Sequence, residues 1–325
     1  MVALAATLCL SLAGFLSGGS WPNLSLPEVD AGFSWPDVTW PEMPWRRGGK
    51  SAPAEGPGSG AGEVSGEFEE ANVGSFELVD GIAHRAAEGA VTVFATSEPI
   101  ASASLAGSAC PATQARALAL LRDASWNEVT LDEDGDTPYF AYGTQYAGQG
   151  KASDPDGHWV SSSLEVEGGR AEGRARHEDY GGFRFDLPLH APSPPEPSQG
   201  QRFDGRVWPG NRVPGTHEAF LAYDAIRRAA LAGDLAALLG AQGFTAEQVA
   251  AVRALPGIEA ELAAHALRFL TTEDLSPDDP IQVDQGWAQL VGVGSNSRGE
   301  PFFNVYELAA CGDALVMVGI YLNPQ

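Results

Sequence analysis

Histidine and cysteine are the residues here with the most chemistry to offer, and their spacing argues against a reactive centre. Of six histidines, His84, His158, His177 and His190 fall on predicted strands or near turns, while His217 and His265 fall on predicted helices. No pair has the His-x₃-His spacing, and no cysteines have the Cys-x₂-Cys spacing, by which one element presents two ligands to a metal, so no metal and no cofactor is expected. The acidic run Asp132-Glu133-Asp134-Gly135-Asp136 sets three aspartates at alternate positions, a pattern that can chelate calcium through oxygen. The helix–loop–helix setting and the closing glutamate of a calcium loop are missing, and Asp-Gly between strands is a common hairpin turn. Asp132, Asp134 and Asp136 are therefore read as a turn first and a calcium site second. Asp154-Pro155-Asp156-Gly157 reads the same way. There is no Gly-x-Ser-x-Gly elbow and no phosphate loop. The glycines of Gly292–Gly299 lie between two strands, with no helix to receive a phosphate. No catalytic residue is assigned.

The cysteines are Cys9, Cys110 and Cys311. Cys9 lies in an N-terminal apolar run, leaving one cysteine in each half of the remaining chain. In an oxidising compartment Cys110 and Cys311 could form a single disulfide; the alternative is two separate thiols.

The best organised stretch is 281–323. Apolar runs rich in Val, Phe, Tyr and Trp are broken by SNSRGE and by Cys311-Gly312-Asp313, the signature of an antiparallel meander. The last run is apolar at consecutive positions, Leu315 to Ile320, so both faces of that strand should be covered. Helical segments precede it. Thr216 is a candidate cap for the segment after it, Gly233-Asp234 stops one helix and caps the next, and Thr245 with Gln248 forms a capping-box pattern. Helices followed by a curved sheet, with Leu231-Ala232-Gly233-Asp234-Leu235 between two helices, resemble the nuclear-transport-factor-like cone fold over 216–323. That resemblance implies a cavity between sheet and helices, which Trp287, Gln289, Asn304, Tyr306 and Glu307 would line. The scaffold hosts enzymes and non-catalytic binders alike, so it does not decide activity.

Ahead of these helices, 73–191 reads as strands with one short helix, Pro-Ala-Thr-Gln-Ala-Arg-Ala-Leu from Pro111. Phe183, Phe185, Leu187 and Leu189 share one face of a strand. The expected class is α+β: an N-terminal β-rich sandwich or open barrel with one helix (73–191), a Pro-rich linker (192–202), then an α+β domain with helices packed on a curved antiparallel sheet (203–325).

Residues 1–20 are uncharged and end in small residues, as in the apolar core of a secretory signal, although a basic start is missing. An uncleaved membrane anchor is the alternative. Trp-Pro units follow at Trp21-Pro22, Trp35-Pro36 and Trp40-Pro41, and then a Gly/Ser-rich stretch; 21–72 is read as a disordered tether. The chain as a whole resembles exported two-domain proteins of high-GC bacteria, a resemblance that implies no activity. With 19 basic and 43 acidic residues the net charge is −24 and the pI about 4.4. A surface this acidic repels phosphate backbones, so nucleic acid is excluded as a partner. The expectation is an exported periplasmic or extracellular protein, non-enzymatic, that binds a cell-envelope or extracellular partner. The alternative is small-molecule binding, or hydrolase or isomerase activity, in the cavity of the C-terminal half.

Overall fold

The computed structural model describes residues 62–70, 74–85, 89–132, 134, 139–143, 149–152, 159–190, 218–269, 281–284, 287–295 and 301–324. The chain divides into two units, Met1–Gly56 and Pro57–Gln325, and all described residues belong to the second. Its class is α+β, with fourteen strands and five α-helices among the described residues.

The first ten strands make one sheet. They are β1 (Glu63–Glu70), β2 (Gly74–Leu78), β3 (Asp80–Arg85), β4 (Val91–Thr96), β5 (Trp126–Leu131), β6 (Tyr139–Gly143), β7 (Gln149–Ala152), β8 (Trp159–Glu167), β9 (Arg170–His177) and β10 (Gly181–His190). One arm runs β2-β1-β10-β9-β8 and the other β3-β4-β5-β6-β7. They meet at the end of β10, where Leu189 and His190 pair in parallel with Ala83 and His84. Val64, Phe68, Phe183, Phe185 and Leu187 of the first arm share a core with Val91, Val93, Val129 and Leu131 of the second.

Strand β1 lies inside the stretch whose composition reads as tether. Val64 and Phe68 point into the core while Glu63, Ser65 and Glu67 face water, so every second residue is polar and the segment looks solvated when read by composition. The apolar run at 281–295 likewise yields two strands. Asp284 pairs with Trp287, folding β11 (Ile281–Asp284) back onto β12 (Trp287–Ser295). With β13 (Pro301–Cys311) and β14 (Ala314–Pro324) they form the antiparallel meander β11-β12-β13-β14.

Between the sheets lies α1 (Pro111–Leu121), with Pro111 in its first turn, where a missing N–H does no harm. Eight of its eleven residues are buried, and a helix apolar on all sides has to be surrounded. Its core cluster joins Ile82, Phe94 and Trp126 of the large sheet to Tyr223, Val316 and Ile320 of the C-terminal half. The helix is also tied at both ends. Near its start Gln114 Oε1 accepts from Gln248 Nε2 at 3.1 Å. After its last turn Asp123 adopts φ 56°, the left-handed geometry of a helix stop. There the buried Arg122 ion-pairs with Glu261 and donates to the Pro256 carbonyl at 2.8 Å, while Arg268 donates to the Leu120 carbonyl at 3.3 Å and pairs with Asp123 at 3.5 Å.

The C-terminal helices are α2 (Glu218–Leu231), α3 (Leu235–Gly240), α4 (Ala246–Arg253) and α5 (Ile258–Ala266). Asp234 caps α3 by accepting from the Ala237 N–H, and Thr245 and Gln248 complete the capping box of α4. Gly257, at φ 83°, turns the chain into α5. Thr216 lies outside the described residues, as does the segment 203–210, whose sequence Phe-Asp-Gly-Arg-Val-Trp-Pro-Gly reads as a strand.

A single carboxylate fixes the turn that carries the chain from β4 to α1. Asp80 accepts from the Gly81 N–H at 2.8 Å, from the Ile100 N–H at 2.7 Å and from the Ser102 hydroxyl. Asp80→Ala removes these acceptors at once and leaves the N–H of the fully buried Ile100 unmatched. The expected loss is about 2–3 kcal/mol of unfolding free energy, measured by urea denaturation. A loss below about 0.5 kcal/mol would mean that water replaces the carboxylate without cost.

Candidate functional site

The meander candidates divide between the two faces of β13. Tyr306 and Asn304 face the helices: the Asn304 amide donates to the Tyr306 hydroxyl at 3.2 Å, and that hydroxyl donates to the Arg268 carbonyl at 3.0 Å. The Tyr306 ring lies 4.7 Å from Tyr223 and stacks on Phe269 at 5.9 Å. Where the cone-fold resemblance implies a cavity, these two side chains are already engaged in packing. Burial pushes the Tyr223 hydroxyl up, so it stays protonated. Glu307 is on the other face, with Ala309 and Cys311, and is only 5% exposed. The register sets Gln289 opposite Glu307 and Trp287 opposite Ala309; the side chains of Trp287 and Gln289 are outside the described residues. Leu315 to Ile320 are all buried. Helix α1 explains why the second face is covered: it follows Cys110, and Cys110 and Cys311 are joined as a disulfide with their Cα atoms 5.6 Å apart.

At the acidic turn the Asp134 N–H donates to Asp132 Oδ1 at 3.0 Å, the bond by which aspartate stabilises a tight turn. Asp136 lies outside the described residues. Among those residues no three His, Cys, Asp or Glu side chains are arranged to hold a metal ion.

The described histidines His84, His177, His190 and His265 sit in packed surroundings, while His158 and His217 lie outside the described residues. His265 is buried against Phe269, and burial pushes its pKa down to about 4. His84 and His190 sit opposite one another at the joint of the two sheet arms, and burial lowers both. Beside them Glu128 is held by Arg116 at 2.6 Å, and that guanidinium stacks over Trp126 at 5.5 Å.

A set of exposed polar and charged residues lies on one face of β8, β9, β10 and β1. The register sets Ser163 opposite Arg174, Arg174 opposite Arg184 and Arg184 opposite Ser65, a row Ser-Arg-Arg-Ser across four strands. Arg176 follows on the same face of β9, opposite Gly182. All four members of the row and Arg176 are exposed, and among the described residues none of the three arginines has an ion pair or hydrogen bond. One row further along, Glu165, Glu172, Asp186 and Glu63 stand opposite one another. Among the described residues only Asp186 of this row has an ion pair, with Arg170 at 2.6 Å. Like charges directly opposite on adjacent strands are unfavourable, yet here both signs are gathered into rows. Such a face can attract and orient an anion, because guanidinium forks match phosphate and carboxylate geometry. The sequence carried the signal: in Arg170-Ala-Glu-Gly-Arg-Ala-Arg the charges fall at every second position, which puts all of them on one side of a strand.

No protein-family model, no curated protein and no solved structure matches the chain. The cone-fold resemblance of 216–323 therefore rests on element order and its local pattern. Among the described residues no helix is long and apolar enough to cross a membrane.

Proposed function

We propose that the protein is exported and non-enzymatic and that it binds a cell-envelope or extracellular partner while held by its N-terminal segment. The observation that supports this most is the Cys110–Cys311 bond, which joins residues 201 apart. Disulfides persist in oxidising compartments and are rare where thiols are kept reduced. The finer architecture belongs to the same reading: a β-rich sandwich or open barrel, built on the core shared by the two sheet arms, followed by a cone-like α+β half. The alternative, ligand binding or catalysis within the C-terminal half, is weakened by the packing of Asn304 and Tyr306 into the interior.

The reading is tested in intact bacteria producing the full chain. Fractionation with thiol alkylation is expected to find the protein outside the cytoplasm with Cys110 and Cys311 unreactive until reduced, and crosslinking is expected to capture an envelope component. A cytoplasmic protein with both thiols reactive would overturn export. Correct export with no crosslinked partner would overturn the binding role.

A further inference from the structure

We propose that the Ser163–Arg174–Arg184–Ser65 row, with Arg176 beside it, is a binding site for a compact tetrahedral oxyanion with three free oxygens, the phosphomonoester or sulfate ester group of a partner molecule. This rests on the reading of the chain as a binding protein and names what the partner presents. The donors decide the chemistry. Neighbouring Cβ atoms in such a row are about 5 Å apart, and Arg176 lies two residues from Arg174, roughly 7 Å along the strand. Three guanidiniums therefore reach one point above the face, each offering several N–H groups. The two serines end the row on either side of the arginines, and all five side chains are exposed. A carboxylate has two oxygens and one charge and would leave most of these donors unused. A phosphate or sulfate ester has three free oxygens and pairs with arginine in a two-pronged fashion.

The surroundings set the size of the ligand. The carboxylate row Glu165, Glu172, Asp186 and Glu63 lies two residues away on one side, and Glu67 stands opposite Gly182 on the other. A continuous polyanion or an anionic membrane would bring charge against these carboxylates, whereas a single terminal group would not. The chain as a whole carries a charge of −24, so three unpaired arginines side by side are a local exception to its character. An anion between Arg174 and Arg184 also removes the repulsion of the opposed pair, so occupancy should stabilise the fold.

The test is a titration of the purified full-length chain at low ionic strength with glycerol phosphate and inorganic phosphate, followed by ³¹P NMR, with acetate as a carboxylate competitor against bound phosphate and with co-sedimentation on phosphatidylglycerol vesicles as a separate arm. Saturable binding of both phosphates is expected, at least ten-fold weaker for acetate. R174A/R184A should weaken phosphate binding ten-fold or more with the melting temperature of the free protein unchanged or higher. E165Q/E172Q should tighten it several-fold, a gain that a merely structural role of the face would not produce. Absence of saturation, or equal binding by wild type and R174A/R184A, overturns the proposal. So does binding confined to phosphatidylglycerol vesicles, which would make the face a membrane contact. Because the titration is independent of export and of crosslinking, its failure and the failure of the cellular reading are separate results.

Discussion

Loss of the Cys110–Cys311 bond is expected to cost about 5 kcal/mol of unfolding free energy. In the chain-entropy account the stabilisation grows with the logarithm of the closed loop, and here the loop spans 201 residues. The bond is also placed where its loss has most leverage. Cys110 precedes α1, the helix that fills the space between the large sheet and the meander, and Cys311 ends β13. Arg122, Arg268 and Gln114 tie the same helix elsewhere, so the oxidised protein holds α1 covalently at one end and through ion pairs at the other. C110A/C311A avoids burying a serine hydroxyl where both cysteines are buried, and in a unit of this size about 5 kcal/mol corresponds to a fall in Tm of roughly 10–20 °C. Wild type in strong reductant should melt with the variant. If reductant moves the wild-type Tm by less than about 2 °C while alkylation shows both thiols free, the bond contributes nothing to stability and closing the long loop has no measurable effect.

How far these features could be read from the sequence depends on whether the deciding contact is local. Caps are local: Asp234 and the Thr245–Gln248 box sit within three residues of the groups they satisfy, and both form. So does the covering of Leu315–Ile320 on both faces, because an unbroken apolar run leaves no side for water. What covers the second face is not local. Helix α1 comes from the far side of the Pro-rich linker, and its Ala/Leu pattern alone cannot say which sheet it will meet. The core that joins Phe94 and Trp126 to Tyr223 and Val316 is invisible for the same reason. In the sequence the candidate cavity residues stand out only as polar or aromatic positions on strands of the meander. The tertiary fold gives Tyr306 and Asn304 hydrogen-bond partners inside the core and sends Glu307 to the opposite face. The arginine row needed only period-two counting on β9, but the opposition of Arg174 and Arg184 requires the register of β9 against β10. Register is fixed by the turn between the strands and by which face is buried.

Acidification from pH 7 to 5 is expected to destabilise the native state through His265, by about 2 kcal/mol. The ring is neutral in the folded protein because burial lowers its pKa from 6.5 to about 4. Arg268 Nη1 lies 3.5 Å from its Nδ1, and Phe269 meets the ring edge-on, so neither neighbour offers an acceptor to an imidazolium. Below pH 6.5 the unfolded chain takes up a proton that the folded chain refuses, and stability drops until the folded group titrates near pH 4. At about 1.4 kcal/mol per pKa unit the whole window is worth about 3 kcal/mol. His84 and His190, lowered by burial at the joint of the sheet arms, act in the same direction. Two carboxyls oppose them. Burial pushes Glu261 up to about 7, against the pull of Arg122, and raises Asp123 against the pull of Arg268. Those groups take up protons more readily when folded, so they add stability as pH falls, and neutralising an excess of carboxylates relieves self-repulsion as well. The raw pH curve is therefore a balance and does not isolate the histidine. Urea unfolding of wild type and H265Q at pH 7 and pH 5 does, because the carboxyl contributions are common to both proteins. The difference in pH dependence between them should be about 2 kcal/mol, with H265Q the less acid-sensitive. Parallel curves would show that His265 takes up its proton within the fold, which requires an acceptor or water beside the ring that its present neighbours do not supply.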